Sequence, residues 1–348
     1  IKNEYNYSYI TLRVKGIGIN RIFYAKDNEK YCSKFIPPNE VYINNANQSY
    51  IDYKYNFTKE DNEVKLVWYN HINYLGCIFF KCSNITYIDF SHFNSSFVLR
   101  MGNMFNGCSS LVNVNFTNFD TSNAENMHYM FNGCTSLISV DLSNFNTSKV
   151  KTIERMFYNC INLQYINLSN FQLKSNIYYP NIIYKVPKNL IVCIYEDKAH
   201  DLYHKIENLN CSNIYCSDDW YKNQKKIING NDECIDNCKD DHKYELNNKC
   251  YNTCSYDSFY DGKNNVERCK CQNENCSICS DLDSIKHLCI SCNESFYPKE
   301  NDPTNLGPYI NCYKDPLGYY LDKSDKNNYI YKLCNVDIPE CKINETYL

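Results

Sequence analysis

"MFNGCSSLVNVNFTNFDTS" runs from Met104 to Ser122, and "MFNGCTSLISVDLSNFNTS" from Met130 to Ser148. The two stretches are nearly one sentence, written twice with a step of 26 residues. The step extends in both directions. Cys82, Cys108, Cys134 and Cys160 share it, as do Ile78, Met104, Met130 and Met156. Phe79, Phe105, Phe131 and Phe157 form the next column, followed by Ile85, Leu111, Leu137 and Leu163. Ile88, Val114, Val140 and Ile166 come next, then Phe90, Phe116, Leu142 and Leu168, and last Phe93, Phe119, Phe145 and Phe171. So many apolar columns in one register mark a repeat whose copies stack, because one copy cannot bury its apolar edge alone.

Within a copy, Val140 and Leu142 alternate with Ser139 and Asp141, which predicts a short strand with one buried face. Ile153, Met156 and Phe157 stand at i, i+3 and i+4, which predicts a short helix. A period in this range with spaced Leu and Val is the pattern of a leucine-rich repeat solenoid. Parallel strands are expected on its concave wall and short helices on its outer wall. The pattern "MFxxCxSLxxVDLSNFNTS" resembles the BspA-like leucine-rich repeats of bacterial and protist surface proteins. The resemblance covers about Cys77 to Tyr195, and the first copy departs from it at Ile78, Asn84 and Ile85. The array reads as four or five turns, with "NLIVCIYE" at Asn189–Glu196 as a degenerate last strand.

The side chains expected on the concave face are Tyr87, Asp89, Asn113, Asn115, Ser139, Asp141, Tyr165 and Asn167. In many leucine-rich repeat receptors this face binds the ligand. Here Asn115 and Asn167 begin Asn-x-Ser/Thr sequons. The chain carries twelve of these, at Asn6, Asn47, Asn56, Asn84, Asn94, Asn115, Asn146, Asn167, Asn210, Asn275, Asn293 and Asn344. Its 53 Asn would give about six by chance, so the excess is about twofold. Asn94 and Asn146 form a second column in the repeat register. A glycan on Asn115 or Asn167 would cover the usual binding face. The repeat cysteines Cys82, Cys108, Cys134 and Cys160 read as small residues buried under the next coil, since free Cys is among the most buried residue types. A disulfide between neighbouring coils, or a metal stack, is the alternative.

The flanks differ from the repeat. Residues 1–76 hold alternating runs at "YITLRVKG", "SYIDYKYNF" and "NEVKLVWYN", which predict a small antiparallel β cap. Cys32 pairs with Cys77 or stays free. The solenoid is assigned to 77–196, a C-terminal cap and linker with Cys193, Cys211, Cys216 and the plug Trp220 to 197–232, and a cysteine-rich region to 233–348. That region is spaced Cys234-x3-Cys238-x11-Cys250-x3-Cys254 and then Cys276-x2-Cys279-x9-Cys289-x2-Cys292. It holds few apolar residues, so disulfides must staple it. The competing reading is a Cys₄ zinc site built on paired CxxC motifs. "CSICSDLDSIKHLCISCNESFYP" resembles the furin-like repeats of growth-factor receptors. That resemblance implies Cys276–Cys289 and Cys279–Cys292, and by extension Cys234–Cys250 and Cys238–Cys254.

The bulk numbers narrow the function. The 348 residues include 22 Cys, a density expected in an oxidising compartment. The net charge of −4 implies no basic face, so nucleic acid is not an expected partner. No apolar run approaches the length of a membrane span. Residue 1 is Ile and no leader is visible, so the chain reads as a processed or truncated ectodomain. No catalytic motif stands out. His200 and His204 share an i, i+4 spacing, with no acidic third ligand following at a telling distance. No cofactor is implied. The expectation is a non-enzymatic, N-glycosylated extracellular protein that builds a cell-surface coat or filament from copies of itself or other surface proteins. The alternative is an adhesin or receptor ectodomain.

Overall fold

"SYITLRVK" forms the strand β1, Ser8–Lys15, with Ile10, Leu12 and Val14 turned inward. A computed structural model describes residues 7–24, 32, 36–174, 177–209 and 211–228, and shorter stretches at 233–235, 237–238, 242–246, 249–254, 258–261, 266–269, 271, 273–279, 288–300, 302, 304–305, 310–316, 318–323 and 329–334. The chain divides into two compact units, Ile1–Gln224 and Lys225–Leu348.

In the first unit, β2 (Gly18–Arg21), β3 (Glu40–Ile43), β4 (Ala46–Asn47), β5 (Lys54–Phe57) and β6 (Asp61–Trp68) follow β1. β1 pairs antiparallel with β6, with Leu12 opposite Val64, and β3 extends the sheet on the far side of β6. The other edge of β1 pairs antiparallel with β7 (Ile85–Asp89), the first strand of the repeats, with Leu12 opposite Ile88. The cap therefore seals the solenoid by continuing its sheet. A disulfide between Cys32 and Cys77 fastens the cap loop to the first coil.

The repeat strands are β7, β8 (Asn113–Asn115), β9 (Ser139–Asp141), β10 (Tyr165–Asn167), β11 (Ile191–Cys193) and β12 (Asn213–Ile214). Parallel pairing joins β7 to β8, and β9 through β10 and β11 to β12, with Val140, Ile166, Val192 and Ile214 in register. Six stacked strand positions make about six turns, more than the four or five read from the sequence. A second ladder of single parallel bridges links Tyr74, Arg100, Asn126, Thr152 and Tyr178. Between the ladders the apolar columns are sealed. Phe79, Phe105, Phe131 and Phe157 stack with ring centroids 6.0, 5.1 and 5.5 Å apart.

The expected outer wall of helices is not what forms. Residues 75–81 and their equivalents build a ladder of turns. The N–H of Met104 bonds back to Met101 and that of Asn106 to Asn103, while those of Phe105 and Gly107 bond to Met130 and Asn132 of the next coil. Alternate amides thus look along the chain and across to a neighbour. A helix would aim every amide along its own axis. Two positions per coil take left-handed backbone: Asn103, Tyr129, Arg155 and Asn181 in one column, and Gly107, Gly133, Asn159 and Lys185 in the other. The i, i+3, i+4 apolar spacing fits this turn pair as well as a helix, which explains the misreading. Among the described residues, the one α-helix of this unit closes the array. It is α1 (Glu196–Glu207), with Ala199, Leu202 and Ile206 buried. A disulfide between Cys193 and Cys216 and the ring of Trp220 finish the end.

In the second unit, β13 (Lys226–Ile228), β14 (Cys234–Ile235), β15 (Tyr244–Leu246), β16 (Lys249–Tyr251), β17 (Ser258–Asp261) and β18 (Val266–Cys269) form a sheet in the order β14-β13-β16-β15-β18-β17. β19 (Cys276–Cys279) pairs with β20 (Cys289–Cys292), and β21 (Tyr319–Asp322) with β22 (Ile330–Leu333). Among the described residues the bonds are Cys238–Cys250, Cys254–Cys269, Cys276–Cys289 and Cys292–Cys312. Three implied pairs are therefore corrected. Cys234–Cys250 fails because β13 lies between β14 and β16. Two strand spacings, about 9.6 Å, exceed the reach of a disulfide. With Cys238 taken by Cys250, Cys254 turns to Cys269 instead. Cys279–Cys292 fails on the β19–β20 ribbon, where Cys276 faces Cys292 and Cys279 faces Cys289. The register of this ribbon is broken by bulges between Cys276 and Ile278 and between Ile278 and Cys279. Cys276 and Cys289 lie 5.0 Å apart at Cα, and Cys292 bonds Cys312.

Candidate interaction surfaces of the repeat unit

The strand wall shows why its residues recur. Asp89, Asn115, Asp141 and Asn167 occupy one column, and each Oδ1 accepts the N–H two residues on, from Ser91, Thr117, Ser143 and Ser169 at 2.8–3.1 Å. Asn94, Asp120 and Asn146 do the same for Ser96, Ser122 and Ser148. These are Asx turns, and Asp serves as well as Asn because the carbonyl-type oxygen does the capping. Several members of these columns are sequons, yet the column exists to bend the chain out of the strand. The Asp/Asn alternation was the signal in the sequence that could have found it.

Not all of this wall is open. Trp220 stacks on Tyr165 at 4.9 Å and 8°, leaving Tyr165 only 9% exposed, so this side chain keeps its place beside Ser139 on the strand wall but is covered. The guanidinium of Arg13 lies over the ring of Tyr87 at 5.0 Å. Asn113, Asn115, Ser139 and Asn167 are half-buried and Asp141 is exposed. Among the sequons, Asn47, Asn56, Asn94, Asn146 and Asn293 are exposed, whereas Asn84, Asn115 and Asn275 are half-buried. The amide nitrogens of those last three donate to Lys15 O, Asp89 Oδ1 and Cys312 O, at 2.9–3.1 Å. Asn6, Asn210 and Asn344 lie outside the described residues, as does the side chain of Cys279.

Beneath the wall, two polar columns are fully enclosed. Cys82, Cys108, Cys134 and Cys160 are free and buried. The thiols of Cys108, Cys134 and Cys160 donate to the carbonyls of Phe79, Phe105 and Phe131, one coil back, at 3.0–3.1 Å. Burial pushes all four thiols well up from their ordinary range. The second column, which the sequence reading passed over, is Ser95, Thr121 and Thr147 at the coil corner. Thr121 Oγ1 donates to Asn146 O and accepts from Asn146 N, and Thr147 does the same with Gln172.

The turn wall carries a cavity. It measures about 590 Å³ and is lined by Asn103, Asn106, His128, Tyr129, Glu154 and Tyr178, among others. Its polar groups form a chain. Asn106 donates to Asn103 Oδ1 at 2.7 Å, and Asn103 Nδ2 lies 3.1 Å from His128 Nε2. His128 Nδ1 meets Asn126 Oδ1, and Tyr129 OH donates to Glu154 Oε1 at 3.2 Å and accepts from Arg155. These partners suit a neutral imidazole with its proton on Nδ1. Burial lowers the His128 pKa accordingly.

Residues 74–189 match the family model described as "Mycoplasma protein of unknown function, DUF285". The match spans the coils from the first bridge to the threshold of β11. Together with the solenoid it fits a repeat segment of BspA-like type. No curated protein and no solved structure matches the chain. The six described disulfides, in both units, are those of a secreted or extracellular protein. Among the described residues no helix is long and apolar enough to cross a membrane.

Proposed function

We propose that this chain is a non-enzymatic, N-glycosylated extracellular protein that serves as a building block of a cell-surface coat or extracellular filament. Its partners are further copies of itself or other surface proteins. The observation that carries this reading is the closure of the repeat array at both ends, by β1 against β7 and by α1, β12 and Trp220. A sealed, disulfide-braced solenoid is a stiff block that presents its side walls. Copies therefore meet side to side rather than by extending the sheet, which favours a coat over an end-to-end fibre. The cysteine-rich unit, whose Cys276–Pro298 segment resembles furin-like repeats, supplies a second stapled module in tandem.

An adhesin or receptor ectodomain is the second reading, and the turn-wall cavity favours it. Tyrosines, amides, a carboxylate and an imidazole suit a polar ligand from a neighbouring cell. Sedimentation of natively purified material separates the two. Large species that dissolve on dilution support assembly. A monomer at every concentration, which binds cells and loses that binding in Tyr129→Ala, supports adhesion. Glycopeptide mass spectrometry tests the glycans, with occupancy expected at Asn56, Asn94 and Asn146.

A further inference from the structure

We infer that α1 carries a divalent metal site of the zinc class, built from Glu196, His200 and His204. His200 and His204 stand at i and i+4 on one face of α1, and Glu196 meets them from across a break in the helix at Ala199. Their ligand atoms all lie within 4.8 Å of one another. His204 Nε2 is 3.1 Å from Glu196 Oε1, and the two imidazole centroids are 4.5 Å apart. A tetrahedral zinc ion with ligands near 2.1 Å would set such a nitrogen and oxygen about 3.4 Å apart. The pair needs only a small opening to admit the ion.

The groups behind the ligands strengthen the assignment. His204 Nδ1 is 2.9 Å from Glu207 Oε2, and His200 Nδ1 is 3.3 Å from Asp201 Oδ1. Each ring thus has a carboxylate on its Nδ1 side. That arrangement fixes the tautomer that leaves Nε2 as the electron-pair donor, and it raises ligand basicity. The sequence reading sought the acidic ligand after the histidines. It lies four residues before them.

The site has a structural consequence. Ala199, between Glu196 and His200, leaves helical geometry at φ −147°, ψ 52°. A shared ion would clamp the first turn of α1 to the rest across this break. Two nitrogens and one oxygen from the protein leave a fourth position for water, as in open sites.

The test is calorimetric titration of the untagged, disulfide-intact chain with zinc chloride, beside a thermal melt with and without the ion. One site is expected, with Kd on the order of micromolar. The double variant His200→Ala, His204→Ala should weaken binding at least tenfold and lose the zinc-induced rise in Tm. Glu207→Gln, which alters no ligand, should weaken binding about tenfold. His200 and Glu207 are exposed and His204 is half-buried, so circular dichroism should show each variant folded. Absence of saturable binding, or equal affinity and stoichiometry in the double variant, would overturn the assignment.

Discussion

At the scale of single residues, the repeat depends on small polar groups that face inward. Thr147 bonds both the N–H and the C=O of Gln172, and it is fully buried. Thr147→Val keeps the shape and removes both bonds. We expect a loss of about 1–3 kcal/mol in urea unfolding, the cost of stranding buried backbone groups. Unchanged stability would mean that water replaces the hydroxyl. The cysteine column makes a second prediction. Cys108, Cys134 and Cys160 should resist alkylation in the native protein and react after denaturation, because their thiols are enclosed and kept protonated. The burial of these cysteines was legible from the repeat register. Their carbonyl partners were not, since a hydrogen bond one coil back depends on how the coils stack. The sequons show the opposite difficulty. Asn115 and Asn167 carry a loud local motif, yet their columns alternate with Asp89 and Asp141, and the shared role is a turn cap.

At the scale of elements, the turn ladder replaces the expected helix and reverses a familiar mutational rule. Gly133 has φ +72°, and a Cβ there would meet only ordinary contacts. Gly133→Ala would favour a helix but strains left-handed backbone by roughly 1–2 kcal/mol. Destabilisation in a thermal melt supports the ladder, and stabilisation would support a helix. The period, the columns and the strands were all legible in the sequence. The helix was a false reading because Ile153, Met156 and Phe157 satisfy either geometry, and the left-handed column holds Asn103, Tyr129 and Arg155, which sequence alone does not single out. His128 adds a pH effect. Its native pKa lies below the ordinary imidazole value, so on acidification the unfolded chain takes up the proton first. Stability should therefore fall as pH drops below about 6.5. This component of the pH dependence should vanish in His128→Asn, as read from urea midpoints.

At the scale of the whole molecule, the two units are held by different forces. Ile1–Gln224 contains one continuous apolar core from Ile10 to Ile206. Lys225–Leu348 relies on disulfides around small clusters such as Cys276, Cys289 and Cys312. Reduction should therefore open the second unit to protease and leave the repeat coils resistant. That the cysteines staple this region was legible from their density. Their partners were not, because strand order separates Cys234 from Cys250 by β13 and no spacing encodes strand order. The proposed role in a coat rests on the sealed ends of the solenoid, which leave only side walls for contact. Negative-stain microscopy of natively purified, glycosylated protein tests this most directly. The account predicts sheets or laterally associated arrays with stiff, elongated repeat units. Dispersed single particles at high concentration, or fibres growing end to end through the solenoid tips, would contradict it.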